Sequence, residues 1–259
     1  MKRMMSRTFC LGLVFALILQ VIPSGSARGQ QAAALSDEQV TERLAFIESA
    51  LEAGRPRAET WYYGWLGAYS VGSLACGIVA GTNWANTKIV DGQAVKNRKS
   101  AEGMLINGVV LLLGVGDLVV DPFKPALVSG ELRALPASSA EERRAKLERA
   151  EKMLRDCARR ETYGRSLTNH LLNIGANAAG AVILKAAFKQ SWGDALVNFA
   201  SGEAVSLLTI FTQPTRATRD LKAYEAKYLG KGGAVLPAPA ERKWSLSVGP
   251  GGLTFRYEF

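Results

Sequence analysis

One histidine and three cysteines are all that this 259-residue chain offers of the residue types that most often hold metals or act as nucleophiles. With His170 alone, and no carboxylates clustered beside it in the sequence, no metal shell and no cofactor site is expected. His170 sits in an apolar, Asn-rich stretch and reads as a hydrogen-bonded core residue. Cys10 falls in the N-terminal apolar run, which leaves Cys76 and Cys157. Two cysteines exclude a disulfide framework, though an oxidising compartment would permit one bridge. Cys76 lies in a Gly/Ala-rich run, where a thiol behaves as a small apolar side chain. Cys157, in "LRDCARR", has no nucleophile motif around it. "GVGDLV" at 114–119 lacks the third glycine of a dinucleotide loop and lies inside an apolar run rather than at a strand-to-helix turn. No basic patch is interleaved with exposed aromatics, so nucleic acid is not an expected partner. A non-catalytic protein is the reading these absences favour.

The first 27 residues have the parts of a secretory signal. Lys2, Arg3 and Arg7 precede the apolar run Cys10–Val21, which is too short to span a bilayer comfortably. Pro23 and the small residues up to Ala27 make a cleavage region. Loss of those three basic residues takes the formal charge from +9 to +6. The expected location is the periplasm or cell envelope, at or near a membrane.

The body reads as mainly α and internally duplicated. At one offset Leu44 matches Leu147, Glu48 matches Glu151, Leu51 matches Leu154 and Arg57 matches Arg160. The same offset aligns Gly72 with Gly175, Ala75 with Ala178 and Gly77 with Gly180. At a smaller offset 125–137 aligns with 214–226, the difference being taken up by a loop around 82–103. The expected divisions are a signal (1–27), a first helical repeat (28–137), a second (138–229), a Gly/Pro/Ala-rich linker (230–241) and a terminal β-hairpin (242–259).

Each repeat is read as four pieces. An amphipathic helix comes first, started by a capping box: Ser36 with Gln39 in one copy, Ser138 with Glu141 or Ser139 with Glu142 in the other. Two apolar helices follow as a hairpin, at 61–81 and 104–120, then at 166–184 and 195–213. A Pro-started amphipathic helix, after Pro125 or Pro214, ends each copy. Gly64, Ala68, Gly72, Cys76 and Ala80 recur every fourth residue, so Gly64, Ala68, Gly72, Gly77, Gly175 and Gly180 are the expected helix-packing positions. Asp117, His170, Lys185 and Glu203 are the polar insertions in or beside the apolar pieces, with a Lys185–Glu203 pair one arrangement they allow.

Residues 61–81 carry no charge and are long enough to span a bilayer. Against spanning stand Glu203 in mid-helix and the distribution of basic residues. With an exported N-terminus the segment 121–165 is extracytoplasmic, yet it holds many more Lys and Arg than 82–103, the reverse of the positive-inside pattern. These features favour a compact exported domain, structural or interaction-mediating, whose partner is an envelope protein or a membrane surface. The alternative is a small integral-membrane transporter or pore component.

The chain ends in "WSLSVGPGGLTFRYEF". Trp244, Leu246 and Val248 alternate before a Gly/Pro turn, and Leu253, Phe255, Tyr257 and Phe259 alternate after it. The last strand, through Leu253, Phe255, Tyr257 and Phe259, resembles the closing strand of Gram-negative outer-membrane β-barrels. A barrel needs at least eight strands, and no others are read here. An aromatic-faced docking hairpin is expected instead, on the protein's own helices or on a partner.

Overall fold

The computed structural model describes residues 35–90, 93–230, 244–249 and 252–257, with backbone alone for 87–90, for 93–96 and for the last two stretches. The described part is mainly helical, with six helices longer than ten residues and one short one. The first begins at a capping box. Ser36 Oγ accepts from the Gln39 amide at 3.2 Å, and Gln39 Oε1 accepts from the Ser36 amide at 3.0 Å.

Helix α1 then runs unbroken over Asp37–Ala85, 49 residues. Two separate helices were expected over this stretch; the structure joins them straight through Pro56. An interior proline removes one backbone donor and leaves the carbonyl four residues back without its helical bond. The helix continues because both sides of Pro56 are anchored in cores. Val40, Leu44, Ile47 and Leu51 are buried before it, and Ala58, Trp61 and Tyr62 after it.

A short excursion, β1 (Thr87–Val90) paired antiparallel with β2 (Gln93–Lys96), leads into α2 (Arg98–Val120). Helix α2 returns along the second half of α1. A Cβ on Gly72 would lie 3.1 Å from Leu111, one on Gly108 3.2 Å from Cys76, and one on Gly114 2.9 Å from Tyr69. These contacts step in opposite directions along the two helices, which fixes them as antiparallel. A 3-10 turn at Lys124–Ala126 and the short α3 (Val128–Ala134) follow.

Helix α4 (Ala140–Gly164) starts at the second capping box, which is Ser139 with Glu142. Its continuation is broken at Arg165–Ser166, where Ser166 caps α5 (Leu167–Ala186) by accepting from the Asn169 amide. Helix α6 (Trp192–Thr212) returns against α5, and α7 (Arg216–Tyr228) closes the helical body.

The helices sort into two halves. The first half of α1 packs with α3, α4 and α7 around Val40, Leu44, Ile47, Leu51, Leu132, Leu147, Leu154, Cys157 and Tyr224. Charged residues cover this half, as in the Lys146–Glu48 pair at 2.8 Å and the Lys227–Glu42 pair at 2.8 Å. The second half of α1 packs on α2 and bonds to α6, while α2, α5 and α6 meet around a much thinner core, Ile106, Ala181, Leu184 and Ala195, at the far end. Where the halves meet, Ala58, Trp61, Tyr62, Leu118, Phe123 and Ala126 form a third cluster.

Cys76 and Cys157 are both free, one in each half. The C-terminal hairpin expected at 242–259 is not supported as an element of this fold. Its side chains, including those of Trp244, Leu253, Phe255, Tyr257 and Phe259, lie outside the described residues, as do the signal segment and the linker.

Candidate functional site: an apolar-surfaced bundle with a polar seam

A helix that is apolar on all sides has no face it must hide from lipid, but in water it would have to be buried. The second half of the molecule leaves such faces open. Helix α1 turns Val71, Leu74 and Ile78 outward; α2 turns Leu105, Val109, Leu112 and Val119 outward along one stripe. Helix α5 exposes Leu167, Leu171, Leu172, Ile174 and Val182, and α6 exposes Leu196, Val197, Leu207, Leu208 and Phe211. No large hydrophobic residue is exposed on the first half of α1, on α3 or on α7. Three described stretches, Asp37–Ala85, Arg98–Val120 and Trp192–Tyr228, are long and apolar enough to cross a membrane. Helix α5 lies between them in sequence and carries Asn169, Asn173 and Asn177.

Aromatic and charged residues border the apolar zone at both ends. Trp61, Tyr62, Tyr63, Trp65 and Tyr163 stand at the waist, where Arg160 also lies 5.9 Å from the Tyr163 ring. At the far rim Arg98 lies over Trp84 at 5.7 Å and Lys185 over Trp192 at 5.8 Å. From Tyr63 to Trp84 along α1 is about 31 Å at a rise of 1.5 Å per residue. A bilayer's hydrocarbon core is about 30 Å thick, with Trp and Tyr concentrated at its two interfaces.

Polar side chains recur along α6 from rim to waist, exposed at its two ends, and bond different neighbours: α2 from Asp194 and Asn198, α5 from Glu203 and Ser206, and α1 from Thr209 and Thr212. Lys99 pairs with Asp194 at 2.6 Å. One turn on, Asn198 Nδ2 donates to Asn107 Oδ1 at 2.8 Å. Midway, Asn177 Nδ2 donates to Glu203 Oε1 at 2.7 Å and to Ser206 Oγ at 3.4 Å. Next, the Tyr69 and Thr209 hydroxyls lie 2.7 Å apart. At the waist Trp61 and Trp65 donate through Nε1 to Thr212 Oγ1, at 3.2 and 3.1 Å. Asn177 is only 4% exposed, and its carboxamide fills the space where a Cβ on Gly202 would stand, 2.1 Å from Oδ1.

Below the waist Arg160, nearly buried, ties α4 to the end of α2 through Asp121 at 2.9 Å and Asp117 at 3.3 Å. Glu161 beside it is 1% exposed and caps α7 from a different helix. Its carboxylate accepts from the Ala217 amide at 3.1 Å, the Thr218 amide at 2.8 Å and the Thr218 hydroxyl at 2.9 Å. Thr215, the residue preceding α7, makes no side-chain capping bond, so Glu161 takes that role. Burial raises the Glu161 pKa, against the lowering effect of those three donors. Burial likewise pushes the Cys157 thiol up, so Cys157 is not a ready thiolate.

The polar residues singled out from the sequence thus have separate places. Asp117 is at the waist with Arg160, Lys185 at the far rim with Trp192, and Glu203 at mid-height with Asn177. His170 is half-buried on α5; its backbone amide donates to the Ser166 carbonyl at 3.1 Å, and no side-chain hydrogen bond or ion pair is found for it among the described residues. Lys185 and Glu203 are not brought together as an ion pair among the described residues. Of the small residues, Gly72 faces Leu111, and a Cβ on Gly180 would lie 2.8 Å from Ile106. Gly64, Gly77 and Gly175 have nothing within 4 Å of a built Cβ, and Ala68 is exposed. Gly77 nonetheless packs by its backbone, its nitrogen lying 3.8 Å from where a Cβ on Gly108 would stand. The glycines pressed hardest, Gly164 and Gly202, sit against polar side chains, Gln213 and Asn177. A row of apolar spacing gives no signal for that kind of contact.

No metal-holding group of three or more His, Cys, Asp or Glu is found among the described residues. No protein-family model matches the chain, and neither a curated protein nor a solved structure matches it.

Proposed function

We propose that this is a small integral-membrane protein of the cell envelope: two apolar helical hairpins embedded in a bilayer, carrying a polar helical domain at one face. The carrying observation is the apolar exterior between two aromatic borders about 31 Å apart. In water such a surface would form a contiguous patch far beyond what monomeric soluble proteins expose. Lipid removes that cost without any partner chain.

The duplication read from the sequence fits this arrangement. The two capping boxes, at Ser36 and Ser139, start amphipathic helices at equivalent places, and each leads into an apolar hairpin. Each copy contributes two spans and part of the polar domain, so the two copies share one orientation in the membrane. The polar domain, with its charged exterior, is the part that meets other envelope proteins, and the C-terminal segment 242–259, read from its alternating residues as a hairpin, is proposed as its docking element. The signal reading of residues 1–27 puts that domain on the exported face.

Fractionation tests the reading. After an alkaline carbonate wash the full chain stays with the membrane pellet, and detergent releases it folded. Release by carbonate alone overturns the embedded bundle and returns the protein to a compact exported domain.

A further inference from the structure

Glu203 is at the midpoint of α6, the depth at which an ionised carboxylate is most costly in a bilayer. Described cations around its helix are engaged elsewhere: Lys99 with Asp194, Lys185 with the Trp192 ring, Arg160 with Asp117 and Asp121, and Arg165 with the Phe211 and Gln213 carbonyls. No ion pair reaches Glu203 among the described residues. The packed helices also carry His170 on α5, Arg98 and Glu102 on α2, and Tyr62, Tyr63, Tyr69 and Cys76 on the second half of α1; Arg98 lies over Trp84, and Tyr62 donates to the Leu118 carbonyl. Glu102 accepts from Gln190 and Tyr69 bonds Thr209, so both are held away from Glu203.

The one group aimed at the Glu203 carboxyl is the buried amide of Asn177, and the chain makes room for it. Gly202 has no side chain where the Asn177 carboxamide lies, and Ser206 one turn along holds the same amide. An amide neutralises no charge. It orients a carboxyl and lets it exist in either protonation state, unlike a lysine or arginine, which would lock it ionised.

We propose that Glu203, positioned by Asn177, is a proton-binding carboxyl within the membrane. The inference rests on the embedded-bundle reading. The Asn177 amide holds the carboxyl in place with the proton on it and, once the proton has passed to water, without it. The ligand is the proton, and the bond made and broken is the carboxyl O–H.

The test uses dicyclohexylcarbodiimide, an apolar reagent that adds to protonated carboxyls in lipid, on full-length chain in its native membranes. Mass spectrometry of the digest should place the adduct on Glu203, and Glu203→Gln should abolish it. Labelling should fall roughly tenfold for each pH unit above the carboxyl's pKa. Asn177→Leu removes a donor that favours the ionised form, so it should move the midpoint of that fall to higher pH. If the chain is carbonate-resistant but Glu203 stays unlabelled while a water-soluble carbodiimide modifies it, the proton site is overturned and the membrane reading stands. If the chain is carbonate-soluble, the membrane reading falls first. An unmoved midpoint in Asn177→Leu overturns the role of Asn177.

Discussion

Leu112→Asp separates a lipid-facing surface from a water-facing one most sharply. Leu112 is 59% exposed on the outer stripe of α2, between Val109 and Val119 and well inside both aromatic borders. In water, placing a carboxylate at an exposed position that touches little changes stability by no more than about 0.5 kcal/mol and favours solubility. In a bilayer, leucine at that depth contributes roughly −0.5 kcal/mol to insertion and aspartate about +3 kcal/mol. The swap therefore costs about 3–4 kcal/mol, two to three powers of ten in the insertion equilibrium. The control is Ala145→Asp, on the exposed face of α4 in the polar domain, which should stay within about 0.5 kcal/mol in either setting. Membrane-fraction yield and thermal unfolding in mild detergent, compared across the two variants, are the measurements. A Leu112→Asp protein with normal membrane yield and an unchanged unfolding temperature, or one recovered folded from the soluble fraction, would refute the lipid-facing assignment.

Glu161→Ala leaves the Ala217 and Thr218 amides unpaired at the start of α7 and should cost about 2–4 kcal/mol by chemical unfolding. Because burial raises the Glu161 pKa above its ordinary 4.5, its stabilisation is fullest below that value and declines as pH rises through the folded pKa. Glu161→Gln should flatten this part of the stability–pH profile, and a profile identical to wild type would count against the assignment. Gly164→Ala puts a Cβ 2.0 Å from Gln213 Oε1, so it should destabilise by about 1–3 kcal/mol. Adding Gln213→Ala should then cost less than in the wild-type background, and strict additivity would refute the clash. Protease added to intact spheroplasts should cut within the polar domain, as the signal reading of 1–27 requires; complete protection would place that domain in the cytoplasm.

Much of the helical layout was legible in the residues because it is written in local chemistry. Ser36 with Gln39 starts one helix, and the second box, at Ser139, was one of two adjacent choices that differ only by where the backbone turns. The amphipathic period of Val40, Leu44, Ile47 and Leu51 names their buried face without any neighbour in view. In the apolar pieces that signal disappears. When every side of a helix is hydrophobic, period cannot say which face is covered, so the open faces of Val71, Leu112 and Val197 emerge only once the helices are placed.

The joining of two expected helices into one through Pro56 was decided by packing, since burial on both sides of it outweighs one lost hydrogen bond. The choice of Asn177 rather than Lys185 as the contact of Glu203 was likewise tertiary. It depends on the crossing of α5 and α6 at Gly202, a long-range contact that spacing along either helix does not encode. Sequence determined which segments are helices and which of them need water; tertiary structure decided which polar groups meet and which apolar faces remain open, because both depend on the relative placement of helices.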